Sequence, residues 1–357
     1  MSPITTGINI EQILSQIAGK ENISDIHLSA EEFIALRVSG DIKKITNQPK
    51  LTDEMMEIAL KQLMKGNNKA FEQFLADREA DFSYVGLDST PYRVNAFFKL
   101  GKIGVVLRKI NSVAKNIDDL MLPELAESIR DNILSQKQGL FLVTGPTGSG
   151  KSTSLVAMID FLNQERSEHI ITIEDPVEFI FEPKSSLISQ REVGHDTWAF
   201  MNALRSAMRE DPDIVLVGEI RDKETAEAVL NLAETGHFVF STLHTSSASG
   251  TISRFISFFP PEIQDSVASR LGDVLVGVQS QRLVKNKDGK GRIGLYEVLI
   301  NTPAVKNNIK KRQLSQIDNI IETGIKQGMI SLEQYTKRLI SDGLVDEDHV
   351  SWIFNHQ

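Results

Sequence analysis

The run GPTGSGKS from Gly145 to Ser152 decides the fold. It follows the apolar stretch GLFLVT, Gly139 to Thr144, and opens a helical pattern from Thr153 to Leu162 in which Leu155, Met158, Ile159 and Leu162 share one face. Strand, glycine-rich turn and helix in that order, spelled G-x-x-x-x-G-K-[ST], form a phosphate-binding loop. The spelling has a physical cause. The glycines Gly145, Gly148 and Gly150 let the backbone N–H groups of the loop, which also includes Thr147 and Ser149, turn inward around phosphate oxygens. Lys151 supplies a point charge to the β and γ phosphates, and Ser152, with Thr153 beside it, offers a hydroxyl to Mg²⁺. The candidate cofactors are therefore ATP and Mg²⁺.

Working outward, three more short runs are continuous, apolar and rich in β-branched or aromatic residues: His169 to Ile173, Ile214 to Val217, and His237 to Thr242. They alternate with amphipathic helical stretches, Ala199 to Arg209 and Asp222 to Thr235. The second has Asp222 as N-cap and Gly236 as its stop. Buried strands alternating with helices predict an α/β domain built on a parallel sheet. Ligands of such sheets bind beyond the carboxyl ends of the strands. Each of the three runs ends there in polar residues: Glu174-Asp175-Pro176-Val177-Glu178, Gly218-Glu219 and Ser241-Thr242-Leu243-His244.

These ends supply the candidate chemistry. Glu219 is placed to hold a metal-bound water or polarise the attacking water. One of Glu174, Asp175 and Glu178 should act as general base, with Glu178 preferred because it stands clear of the strand end. His237 and His244, seven positions apart on one strand, point to opposite faces and cannot share a metal ion. His244, at the carboxyl end, reads as a donor to the γ-phosphate or a link to a neighbouring subunit. Arg205 and Arg209 read as partners of the acidic run Glu210 to Asp213.

The first hundred residues read differently, as a small α+β unit. A helix begins near Ile10, and strands follow at Ile26 to Leu28 and Phe33 to Val38, with a turn signal at Ser39-Gly40-Asp41. A helix from Thr52 to about Lys65 precedes strands at Asp81 to Val85, Tyr92 to Phe98 and Ile103 to Arg108. Polar residues from Asn111 to Asp119 suggest a linker. The expected division is residues 1–111, a linker at 112–118, and the ATPase domain with a C-terminal helical region at 119–357.

Composition narrows the class. The 357 residues carry 39 Lys and Arg against 48 Asp and Glu, a net charge of −9, which gives no general attraction for nucleic acid or an anionic membrane. A nucleic-acid translocase is disfavoured on that ground. There is no cysteine, so disulfides and thiolate metal sites are excluded. No long apolar run suggests a membrane span, and a cytoplasmic protein is expected.

Longer motifs resemble a known family. GPTGSGKST (145–153), ITIEDPVEF (171–179), DPDIVLVGEIRD (211–222) and TGHFVFSTLHT (235–245) are similar to the Walker A, Asp box, Walker B and His box of the secretion ATPase superfamily. QREVGHDT (190–197) and ALRSAMREDPD (203–213) bring the chain nearest to its pilus retraction branch. The resemblance implies a RecA-like ATPase domain preceded by a PAS-like N-terminal domain. It further implies a homo-hexamer at the cytoplasmic face of the inner membrane, acting on a platform protein and touching the membrane only peripherally, with a second retraction ATPase as a further partner. It assigns nucleotide or catalytic roles to Lys151, Ser152, Glu178, Glu219, His237 and His244. Family N-terminal domains also close arginines over the nucleotide. Arg93 and Arg108 match two of them, whereas Gly101 stands where another is expected and Lys102 is the nearby substitute. Extension and type II secretion ATPases generally carry a further N-terminal domain and usually a four-cysteine zinc insertion, and this sequence resembles them in neither. The segment AVKNNIKK (304–311) half keeps a retraction signature, which leaves an accessory retraction ATPase as the alternative.

Overall fold

The computed structural model describes residues 9–18, 23–38, 41–110, 113–289 and 291–354. They form two compact units. One runs to Val113 and also takes in Asp175–Phe181 and Glu192–Asp196; the other holds the remainder. Ser39 and Gly40 of the expected turn, and residues 111 and 112 at the start of the expected linker, lie outside the described residues.

The N-terminal unit comprises α1 (Ile10–Ala18), β1 (Ile23–Ser29), β2 (Ala35–Val38), β3 (Asp41–Lys44), α2 (Asp53–Leu63), α3 (Asn68–Asp77), β4 (Glu79–Val85), β5 (Pro91–Lys99) and β6 (Lys102–Lys109). Its antiparallel sheet has the order β3-β2-β1-β6-β5-β4. Thr52 caps α2 as its sequence suggests, its side chain accepting from the Met55 N–H. The helix α3 went unread in the sequence. Its Asn67 cap accepts from Ala70 N–H, and Phe71 and Phe74 join Leu14, Met56, Leu60 and Val94 in one core. Between β5 and β6 the chain turns on two residues, Leu100 and Gly101, both at positive φ. A two-residue hairpin of that hand favours glycine. Turn geometry thus accounts for the glycine that departs from the family pattern. Lys102 is engaged by Glu31 and, at 3.8 Å, by Asp53.

The second unit begins with α4 (Pro123–Ser128), which continues into a π-helical turn, Ile129–Leu134. It then runs β7 (Gly139–Thr144), α5 (Lys151–Glu165), β8 (His169–Glu174), β9 (Leu187–Glu192), α6 (Phe200–Ala207), β10 (Ile214–Val217), α7 (Lys223–Glu234) and β11 (Phe238–Leu243). After these come α8 (Ala248–Ser257), α9 (Gln264–Val274), β12 (Leu275–Lys285), β13 (Arg292–Ile300), α10 (Pro303–Lys310), α11 (Ile317–Thr323) and α12 (Leu332–Ser341). The sheet order is β13-β12-β7-β11-β10-β8-β9. From β12 through β8 every neighbour is parallel, and β13 returns antiparallel along β12. The parallel-sheet α/β reading therefore holds, and each of the four apolar runs is a strand.

Burial explains why those runs do not alternate. All six residues of β7, all four of β10 and all six of β11 are buried, because helices cover both faces of the sheet. Leu142, Val217 and Val239 pack with Leu230 of α7 and Phe255 of α8 in one apolar cluster. Each such side chain contributes about 1.5–3 kcal/mol when fully buried. Among the described residues no helix is long and apolar enough to cross a membrane.

The cap of α7 tests how sequence positions these elements. Asp222 accepts from the Thr225 N–H at 2.8 Å. Asp222→Ala should cost about 1 kcal/mol, seen as an earlier urea midpoint for this unit, and Asp222→Ser should restore most of it. An unchanged midpoint in the alanine variant would remove the cap from the account.

Candidate active site

The register of the parallel sheet sets the site. Val143 and Thr144 of β7 lie opposite Thr242 and Leu243 of β11, Val217 of β10 lies opposite Ser241, and Ile173 of β8 opposite Val217. The residues that follow, Gly145, His244, Gly218-Glu219 and Glu174, therefore leave the sheet along one edge. Short hydrogen bonds tighten that edge. Ser241 Oγ donates to Val217 O and Thr242 Oγ1 to Gly218 O, each at 2.7 Å, while Gly218 N–H donates to Ile173 O at 2.9 Å.

The loop Gly145–Gly150 leads directly into α5. Gly145, Gly148 and Gly150 all have positive φ, the last as the left-handed cap of the helix. A Cβ at Gly145 would stand 2.3 Å from Gln281 O and 2.6 Å from Ser149 Oγ, so no other residue fits there. Thr147 and Gly148 are exposed at the tip, and Ser152 and Thr153 are exposed on the first turn of α5. Lys151 Nζ donates to Gly145 O at 2.9 Å and Pro146 O at 3.3 Å, which folds its ammonium across the mouth of the loop.

Glu219 is bracketed by two nitrogen-bearing side chains, Arg221 and His244. Arg221 Nε donates to its Oε2 at 2.9 Å, and His244 Nε2 lies 3.2 Å from its Oε1. The strand ends thus bring Glu219 and His244 together, as the pattern required. His237 is not brought there. Its carbonyl accepts from Gly139 N–H at the opposite end of β7, and its Nδ1 lies 3.0 Å from Leu232 O. Six residues of strand separate that level from Gly145, roughly 20 Å. His237 thus lies away from this chain's own phosphate loop and closes the turn after α7.

In the N-terminal unit, Glu178 is exposed and its Oε1 lies 3.5 Å from Arg93 Nη1. The Asp175-Pro176 peptide bond, two residues upstream, is cis. Arg108 is differently engaged: its Nε donates to the buried Asp25 at 2.8 Å, and Arg37 approaches the same carboxylate at 3.7 Å. Burial works against ionisation of Asp25, but the bonds from Arg108 and Ser24 outweigh it and hold the carboxyl below its usual range.

Several groups that shape the site escaped sequence reading. Gln281, on β12, is 1% exposed and donates to Ser149 O at 2.8 Å, while accepting from Gln279 at 2.8 Å. Two buried glutamines on one strand, at Gln279 and Gln281, are the signal that something polar needs holding. Thr251 of α8 bonds Thr144 at 3.2 Å and Thr245 at 2.6 Å, linking the strand before the phosphate loop to the segment after His244. Glu297 of β13 accepts from Ala248 N–H at 2.6 Å, at the start of α8.

Comparison with known proteins gives the same picture. A family model described as Type II/IV secretion system protein matches residues 2–350. The type IV pilus retraction ATPase PilT of Pseudomonas aeruginosa is 43% identical over 343 residues, 96% of this chain and 97% of that protein. A twitching motility protein of Neisseria gonorrhoeae is 42% identical over 311 residues, 87% of this chain and 81% of that one. The solved structure of the pilus retraction motor PilT with bound ADP is 39% identical, with a TM-score of 0.84 over 96% of each chain.

Glu297 gives a pH-dependent test of the segment behind His244. Burial is the main cause that pushes its carboxyl up to about 7; the Ala248 N–H and Arg282 act in the other direction, and Asp318 reinforces the rise. The folded state therefore keeps a proton that the unfolded chain has released above its ordinary value near 4.5. Stability from this group is present below that value and is lost as pH climbs through about 7. The melting temperature of Glu297→Gln should accordingly gain on that of the native chain between pH 5 and pH 8. A difference that does not vary with pH would mean that Glu297 does not titrate in this window.

Proposed function

The chain belongs to the Type II/IV secretion system protein family, and we propose that within it this protein is the ATP-hydrolysing motor that powers type IV pilus retraction and twitching motility. The observation that carries the reading is a phosphate loop at the carboxyl edge of a parallel sheet, in line with Glu219 and His244. Lys151 and the loop amides bind the β and γ phosphates. Ser152 and Glu219 are hard oxygen donors suited to Mg²⁺, which when bound offsets charge on the transferring phosphoryl group. Glu178 takes a proton from the attacking water as its oxygen bonds to the γ phosphorus and the bridging oxygen departs with ADP. His244 steadies Glu219 and reaches for the γ-phosphate.

The assembly reading follows from the family. The chain works as a homo-hexamer at the cytoplasmic face of the inner membrane and pushes on a pilus platform protein, alone or beside a second retraction ATPase. Residues 1–111 form a PAS-like domain, 112–118 a linker and 119–357 the RecA-like domain, apart from the short segments Asp175–Phe181 and Glu192–Asp196 that group with the N-terminal unit. Arg93 and Arg108 stabilise charge on the transferring phosphoryl group, with Arg93 the better placed because it already stands beside Glu178.

Lys151→Ala should abolish nucleotide binding or turnover, and Glu219→Gln should keep ATP binding while losing most turnover. Phosphate release from the purified variants decides it; wild-type rates in both would sink the motor reading. Arg93→Ala should lower kcat with nucleotide affinity nearly intact. Arg108→Ala should also lower kcat, with part of the change traced to the buried Asp25, which would keep only Ser24 and the longer approach of Arg37, so that neutralising both Arg108 and Asp25 recovers stability but not turnover. Unchanged kcat in both arginine variants would leave the N-terminal unit without a catalytic part.

A further inference from the structure

Glu178 and Glu192 come from the middle of the ATPase sequence, yet both sit in short segments that belong to the N-terminal unit. Glu192, the last residue of β9, is 3% exposed. Its two oxygens serve two different stretches of main chain: Oε1 accepts from Ser83 N–H at 2.8 Å and Oε2 from Val177 N–H at 3.0 Å. Ser83 adds a second tie, its Oγ donating to Val177 O at 3.0 Å. Ser83 is also the β4 residue opposite Arg93 in the β4–β5 register. A closed circuit results: Glu192 and Ser83 hold Val177, the next residue is Glu178, and Glu178 meets the arginine that faces Ser83 across the sheet.

The chemistry of that circuit is specific to a carboxylate. Bonds from amides to an ionised acceptor are roughly twice as strong as neutral ones. Only a carboxylate accepts on both arms; an amide of the same shape must turn an NH₂ toward one of the two N–H groups and leave it unsatisfied. We propose that Glu192 is a positioning residue for the reaction: it clamps Val177 to Ser83 and so holds the general base Glu178 at a fixed place on the N-terminal sheet, beside Arg93. This rests on the assignment of Glu178 as base. Glu192 itself touches no reacting atom in this scheme; its effect passes through the backbone of one neighbour.

The test uses the full chain and three measurements: steady-state ATPase kinetics, binding of a non-hydrolysable ATP analogue, and thermal melting. Glu192→Gln should lower kcat by about tenfold to a hundredfold, the loss expected when a reacting group is displaced by about 1 Å. KM and analogue affinity should stay within about threefold, since the phosphate loop is untouched. Ser83→Ala, which deletes only the second tie, should lower kcat by a smaller factor and keep the melting temperature close to that of the native chain. In a Glu178→Gln background, adding Glu192→Gln should cost nothing further, because there is no base left to position. Normal kcat in Glu192→Gln, or in Ser83→Ala if the first variant does not fold, overturns the proposal while leaving the base assignment intact. A further loss in the double variant overturns it too, by showing that Glu192 acts elsewhere. Normal turnover in Glu178→Gln alone would instead remove the base, and with it anything for Glu192 to position.

Discussion

The parallel pairing of β7, β11, β10 and β8 is the constraint on which the candidate site depends. Because each strand is in register with the next, their carboxyl ends form one edge, and the residue that follows each strand is delivered there without any further device. Parallel strands buried on both faces have little freedom to slip, since apolar side chains fill both layers and a shift would break packing throughout. Hence residues as distant in sequence as Gly145 and His244 can be placed by a pattern of valines, isoleucines and phenylalanines. The same register also removes His237, which the chain needs at the other end of its strand to finish the turn after α7.

A sheet edge alone leaves a glycine-rich loop underdetermined, because glycine allows many conformations. The structure restricts it from below. Gln281 donates into the loop at Ser149 O, and its own carbonyl oxygen closes the space that any side chain at Gly145 would need. Burying two glutamines costs free energy unless their amides are bonded, and the Gln279–Gln281–Ser149 chain meets most of that cost. The loop is thus shaped by β12, a strand more than a hundred residues further along the chain.

This division explains what was legible in the sequence. The four strands, the helices α2, α6 and α7 and the phosphate loop are local: apolar runs, an N-cap at Thr52 or Asp222, glycines where φ must be positive. Glu219 and His244 could be paired in advance because register carries them to one edge. The strands β12 and β13 went unread because QSQRLV and GLYEVL mix polar and apolar residues, and their polar members are explained only by partners such as Ser149 and Ala248. The hairpin at Leu100-Gly101 was visible only as a departure from a family pattern, although the turn itself supplies the reason.

The N-terminal unit shows the same limit in a sharper form. Sequence order places Glu178 in the ATPase half, four residues beyond the end of a core strand, and nothing local to it reports another allegiance. The bonds that place it are long in sequence: Ser83 to Val177, Ser83 to Glu192, Arg93 to Glu178. Each joins a strand of the N-terminal sheet to residues more than eighty positions away. A carboxylate that serves two amides leaves no trace in hydropathy, since one glutamate among polar neighbours reads as a solvated loop. Burial to 3% exposure is what separates Glu192 from that reading, and burial is set by the fold rather than by the residues beside it. A side chain taken for part of one domain can therefore be held by another, and the bonds to the backbone of its neighbour, Val177, show which.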